Sequence, residues 1–141
     1  MYGIKTAAEA TEMLQEHINK LGEAAGNAHA KPFSASATAI PDLANSVAFW
    51  RGYAETFTQY ERVVERLAER GFDATQMAFA KQQFLTSKLI NGGDDASSGR
   101  GNDARRRHFD GVREAVQELH YTVQAEFEAS MTAVQQARWN G

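Results

Sequence analysis

The chain has 141 residues, is 43% hydrophobic and 23% charged, and carries a formal net charge of -3, the size and balance of one globular domain rather than of a disordered or collagen-like chain. It has no cysteine, which excludes disulfides, a thiolate nucleophile and Cys-ligated zinc or iron–sulfur sites. No apolar run approaches the roughly 18–20 residues of a membrane span, and the start MYGIKTAAEATEML lacks a basic segment leading into an apolar one, so neither membrane insertion nor a secretory leader is expected and the expected compartment is the cytoplasm.

Four segments read as helices and none as a strand. The first covers about Ile4–Leu21: Ile4, Ala7, Thr11, Leu14, Ile18 and Leu21 alternate spacings of three and four and share one helical face. Gly22 is its expected stop. Residues 22–41, rich in Ala, Ser, Gly and Thr, read as a mobile or crossover segment, long for a connection in a compact domain. Both prolines, Pro32 and Pro41, lie there.

The second helix is expected from Asp42, a capping residue, to Gly71. Leu43, Trp50, Phe57 and Val64 recur every seven residues, as do Ser46, Tyr53, Tyr60 and Leu67. The two series form a heptad seam, the pattern by which helices pack on helices. The third helix is expected from Asp73 to about Ile90, with apolar residues on more than one face. Met77, Phe79 and Phe84 read either as a partner interface or as core. Residues 91–103, NGGDDASSGRGND, carry no large apolar residue and read as a mobile loop. The last helix is expected from Asp103 to about Trp139, with a seam of Phe109, Val112, Val116, Leu119 and Val123 continued by Phe127, Met131 and Val134. These elements predict a single all-α domain over residues 1–141, a four-helix bundle with two long and two shorter amphipathic helices.

Signals for enzyme chemistry are weak. His17, His29, His108 and His120 form no H-E-x-x-H, and no Glu precedes a His by three residues as in di-iron bundles. Stacked carboxylates occur at Glu12/Glu16, Glu61/Glu65/Glu69 and Glu114/Glu118, a pattern that more often marks a solvated face than a metal site. Gly92, Gly93, Gly99 and Gly101 precede a helix, but there is no G-x-x-x-x-G-K-[ST], and adjacent Asp94 and Asp95 do not make a calcium loop. No metal, cofactor or catalytic residue is expected.

The feature that points to chemistry is a run of arginines. Arg100, Arg105, Arg106, Arg107 and Arg113, set against Asp103 and Asp110, leave residues 100–113 at +3 in a chain that totals -3. Cations at a helix start oppose the macrodipole, which favours an anion there. The guanidinium fork matches phosphate bidentately, and no aromatic base-stacking platform interleaves the run. The pattern therefore predicts sequence-independent contact with an RNA or DNA backbone. Lys81 and Lys88, on the preceding helix, extend the expected patch. A solvated basic turn and an acidic protein partner are the competing readings.

Trp50-Arg51-Gly52 is similar to the W-x-G tripeptide of the small helical-hairpin proteins of type VII secretion. That family carries the tripeptide between two helices, whereas here it falls within the strongest seam. The family's tyrosine followed four residues later by an acid is missing, since Tyr121 meets Ala125, Tyr60 meets Val64 and Tyr53 meets Phe57. In size and class the chain is also similar to the small helical subunits of RNA-guided CRISPR effector complexes. That analogy implies a non-enzymatic assembly subunit that packs against copies of itself or other subunits and holds a nucleic-acid strand. The alternative is a pure protein-interaction module: a type VII secretion-like partner, a phage structural or accessory protein, or an inhibitor.

Overall fold

The computed structural model describes residues 2–31, 35–98 and 103–140, with residues 36, 92–98 and 133–140 described through their backbone alone. Four helices follow in chain order: α1 (Ala7–Ala30), α2 (Ala35–Glu69), α3 (Ala74–Ser98) and α4 (Asp103–Asn140). The fold is all-α, a four-helix bundle, and no strand occurs among the described residues.

Local chemistry sets most helix ends. The Thr6 side chain accepts from the Glu9 backbone N–H at 3.1 Å, and the Glu9 carboxylate accepts from the Lys5 N–H at 3.3 Å. Both hold the start of α1. The next orphan donor, Ala7 N–H, is satisfied from another helix by the Glu61 carboxylate at 2.9 Å. At the end of α2 the Phe72 N–H donates to Leu67 O and the Gly71 N–H to Ala68 O. Gly71 has φ +73°, so the pair of bonds is a Schellman stop that needs glycine at this position. Two residues on, Asp73 accepts from Gln76 N–H at 2.8 Å while Gln76 Oε1 accepts from Asp73 N–H at 3.1 Å, a reciprocal cap that starts α3.

Three boundaries differ from the sequence reading. The first helix does not stop at Gly22 but runs to Ala30, because Gly22 and Gly26 keep helical backbone angles and alanines, strong helix formers, surround them. The second begins at Ala35, with Pro41 inside it as its seventh residue; the ring removes one i→i−4 hydrogen bond there, yet the helix runs on through it. Segment 22–41 is thus mostly helix, with residues 32–34 outside the described residues. Of the expected loop 91–103, residues 91–98 belong to α3 and residues 99–102 lie outside the described residues.

Contacts fix the directions. Ala7 meets Glu61 and His17 meets Trp50, so α1 runs antiparallel to α2. Thr75 hydrogen-bonds Ser130 at 2.5 Å and Lys81 reaches Glu126 at 2.8 Å, so α3 runs antiparallel to α4. By contrast, α2 and α4 are parallel: Phe49 lies against Gly111, Tyr53 donates to Glu118, and Phe57 and Leu119 border one groove. These two helices are the central pair. α1 packs on α2 alone and α3 mainly on α4, with no α1–α3 or α1–α4 helix packing among the described residues.

The core lies along the central pair. Trp50, Tyr53, Ala54, Phe57 and Tyr60 of α2 meet Val112, Ala115, Val116, Leu119 and Val123 of α4, with Leu85 from α3 and Ile4 and Ala10 from the N-terminal side. The heptad seam expected in the second helix is this buried face. Farther along α4 the seam opens, and Met131 is exposed, because α3 begins at Ala74, opposite Ser130.

The two central helices touch backbone to backbone. A β-carbon added to Gly52 would fall on the His108 carbonyl oxygen, and one added to Gly111 would fall on the Phe49 carbonyl oxygen. Each helix thus presents a glycine to a carbonyl of the other, the arrangement of reciprocal Cα–H···O contacts. Backbone atoms cannot rotate away as a side-chain tip can. Gly52→Ala and Gly111→Ala should therefore each destabilise the fold by about 2–3 kcal/mol. Gly22→Ala should instead stabilise by about 0.5–1 kcal/mol, because nothing lies within 4 Å of its missing β-carbon. Chemical denaturation of the three variants checks both signs.

Candidate nucleic-acid interface

The arginine run occupies the first turns of α4, at one end of the bundle. Arg105, Arg106, Arg107 and Arg113 are all exposed. Arg100 lies outside the described residues. Consecutive helical residues point about 100° apart, so Arg105, Arg106 and Arg107 fan around the helix instead of forming one row. Arg106 and Arg113, seven residues apart, share a face, with Asp110 beside them. The Asp110 carboxylate accepts from Arg107 at 3.4 Å and from Arg113 at 3.3 Å. The Arg113 guanidinium lies over the Phe109 ring, 5.9 Å from its centroid. Arg107 also borders a hollow with Asp42, Asn45, Phe49 and Trp50 of α2. A smaller one of about 320 Å³ lies among Asn45, Asp103, Arg106, Arg107 and Asp110. The end is therefore rich in guanidinium but has carboxylates set among it.

Of the two lysines expected to extend this patch, Lys81 is engaged elsewhere. Lys81 is buried, its ammonium 2.8 Å from Glu126. Glu126 lies about 30 Å along α4 from Arg106 at 1.5 Å per residue. Burial of the long stem with a paired head makes Lys81 a bond between α3 and α4, not a phosphate contact. Lys88 is half-buried, with its ammonium 5.9 Å from the Phe84 ring centroid. On the helical wheel it lies on the side of α3 that carries Lys81 and Phe84.

The trio read as interface or core divides between the two. Phe84 is half-buried against the core cluster, its ring 6.4 Å from that of Tyr60. Met77 is half-buried as well. Phe79, on the far side of α3, is 57% exposed. The Trp50-Arg51-Gly52 tripeptide lies in mid-helix. Trp50 packs against Phe49, Tyr53, Tyr2 and the His17 ring, while Gly52 makes the helix crossing. Within that cluster His17 Nδ1 lies 2.8 Å from the Met13 carbonyl oxygen and therefore carries the proton. This is a packing role.

Beneath the N-terminal segment, an open groove of about 750 Å³ runs between α2 and α4. Phe57, Val64, Leu119 and Ile4 give it apolar walls, and Glu61, Glu65, Glu118 and Glu126 line it. Three of these carboxylates are already engaged: Glu61 with Ala7 N–H, Glu118 with the Tyr53 hydroxyl, and Glu126 with Lys81. Sequence reasoning missed these pairings. Tyr53 and Tyr60 could be seen only as seam residues, and a tyrosine in a seam needs a partner for its hydroxyl. Among the described residues no group of three or more histidines and carboxylates is placed to hold a metal ion, and no helix is long and apolar enough to cross a membrane. No protein-family model, curated protein or solved structure matches the chain.

Burial holds both core phenols in their neutral form. Tyr53 is shifted strongly upward, first by desolvation and then by its bond to Glu118. Tyr60 is pushed up from 10.0 to about 12, by desolvation and then by the charge of Glu126. Folded phenols that keep their protons longer than unfolded ones contribute stability that is complete below pH 10 and is lost as pH rises toward 12. Unfolding free energy should thus fall above pH 10 by about 1 kcal/mol per pH unit for each phenol. Tyr60→Phe should flatten that decline, and an ultraviolet titration should find two of the four tyrosines ionising only as the protein unfolds.

Proposed function

We propose that the protein is a non-enzymatic, cytoplasmic assembly subunit that packs against other subunits and offers the start of α4 to a nucleic-acid backbone. The observation that carries this reading is the exposure of Arg105, Arg106, Arg107 and Arg113 over the first three turns of one helix. An anion at that end meets the guanidinium groups together with the positive end of the helix dipole. The two ion pairs to Asp110 are surface pairs, each worth about 0–1 kcal/mol, so a phosphate can displace the carboxylate. The fan of side chains suits a strand that crosses the end of the bundle better than a groove reader, and nothing in it reads base edges. In this respect the reading matches the analogy with small helical subunits that line a strand in RNA-guided effector complexes.

Fluorescence anisotropy with a labelled single strand, titrated across salt, tests the proposal. Three to four arginine–phosphate contacts should give a log–log salt slope of about -2 to -3. Arg105→Ala/Arg106→Ala/Arg107→Ala should weaken binding at least about tenfold with the helical circular dichroism unchanged. Unaltered binding by that variant would remove the arginines from the site. Absence of binding by the folded wild type at low salt would leave the protein-interaction reading.

A further inference from the structure

The exposed faces of three helices are charged. Glu9, Glu12, Glu16 and Lys20 lie on the outside of α1, the Arg62–Arg70 segment of α2 alternates acid and base, and α4 carries the arginines and later Glu126 and Glu128. The outer face of α3 is different. Its exposed positions from Gln76 to Asn91 include no charged residue. Its two lysines, Lys81 and Lys88, lie roughly 160–180° around the helix from Phe79. On this neutral face Phe79 is 57% and Ile90 61% exposed, large apolar groups with no helix over them. Between them is a hollow of about 470 Å³ whose lining comes from α3 alone.

We propose that this face pairs with the same face of a second copy, the two α3 helices running antiparallel about a two-fold axis. Charge argues for a copy as the occupant. Between Gln76 and Asn91 the face offers no charge to attract a charged partner or a phosphate backbone, and self-pairing over that stretch sets no like charges against each other. Depletion of charge around exposed large apolar groups is also the compositional mark of an interface core. The order of side chains argues for the antiparallel sense. Taken from either end, the face reads large apolar, two polar, two polar, large apolar: Phe79, Gln82 and Gln83, Thr86 and Ser87, Ile90. Reversal about its midpoint sets Phe79 against Ile90 of the other copy and Gln83 against Thr86. Each Gln83 amide then meets a Thr86 hydroxyl at the centre of the contact, and each end ring meets an aliphatic group at the hollow. A single pair of helices touching over three turns falls short of the roughly 800 Å² per partner of a standard interface, so the dimer is reversible.

This inference deepens the assembly half of the proposed function and does not depend on the arginines. Sedimentation equilibrium should find the 15.6 kDa chain in concentration-dependent exchange with a species of twice its mass. Phe79→Glu and Ile90→Glu should each weaken dimerisation at least about tenfold. Both side chains project outward, so unchanged circular dichroism is expected to accompany the loss. Gln83→Glu sets a charge near the axis and should weaken the dimer, and Gln83→Glu/Thr86→Lys should restore it, because only the antiparallel register places each new carboxylate opposite a new ammonium of the other copy. A chain that stays monomeric at every concentration overturns the proposal, as does a dimer that survives Phe79→Glu and Ile90→Glu. A double variant that dimerises no better than Gln83→Glu alone overturns the register. Strand binding measured on the Ile90→Glu monomer separates the two readings: preserved binding with a lost dimer supports the face without touching the arginine site, and a wild type that dimerises but binds no strand rejects only the latter.

Discussion

The structure depends on the place where α2 and α4 meet without side chains between them. Gly52 and Gly111 each face a carbonyl of the other helix, and both are buried. Parallel neighbours cannot be joined by a short turn, so the pairing of α2 with α4 is a long-range contact, made across the whole of α3. The closeness of the backbones sets the depth to which flanking side chains interlock. Tyr53 and Phe57 stack at 5.1 Å on one side of the crossing, and Val112, Ala115 and Val116 fill the facing turn of α4. Buried Thr56 returns its hydroxyl to the Gly52 carbonyl at 2.8 Å, which satisfies a polar group that the tight packing would otherwise strand.

The outer helices attach to this pair by different means. α1 is held at its start by Glu61, a carboxylate at the positive end of the α1 dipole, and along its length by the aromatic cluster around Trp50. The N-terminal residues add to that cluster: Tyr2 meets Phe49, Trp50 and Tyr53 edge-on, and Ile4 is buried. α3 is held by the Lys81–Glu126 pair and the Thr75–Ser130 bond, with Ala78 and Leu85 as its buried contacts. A buried lysine with one ion-pair partner is not a strong source of net stability, but it fixes register, since a slip of one turn would leave the charge unpaired.

How much of this was legible depended on whether the signal was local. The seven-residue spacing of Trp50, Tyr53, Phe57 and Tyr60 announced a buried face, and Gly71 with Asp73 announced the α2–α3 turn; both use only neighbours in the chain. Gly22 and Pro41 misled for the same reason: each is a breaker in general, but here the alanines around Gly22 outweigh it, and α2 runs on through Pro41 at the loss of one hydrogen bond. Lys81 was unreadable because its partner is 45 residues away. Gly52 was noticed only through its tripeptide, and its role required knowing that Gly111 would stand opposite. The arginine run kept its exposure but not its convergence, since three consecutive residues on a helix cannot share a face.

The resulting molecule has chemically separate regions, and the separation follows from the topology. Carboxylates of α2 and α4 gather in the groove between the central helices, where parallel packing brings Glu61, Glu118 and Glu126 to one opening. Arg105, Arg106 and Arg107 sit about 30 Å along α4 from the Lys81–Glu126 pair, and Asp42, Asp103 and Asp110 are the acids set among them. α3 turns both its lysines to the bundle side, which leaves its exposed positions from Gln76 to Asn91 without charge. A chain whose net charge is only -3 thus offers a basic end, an acidic groove and an uncharged helix face, and contacts made through the first and the last need not compete, because they lie on different helices and point in different directions.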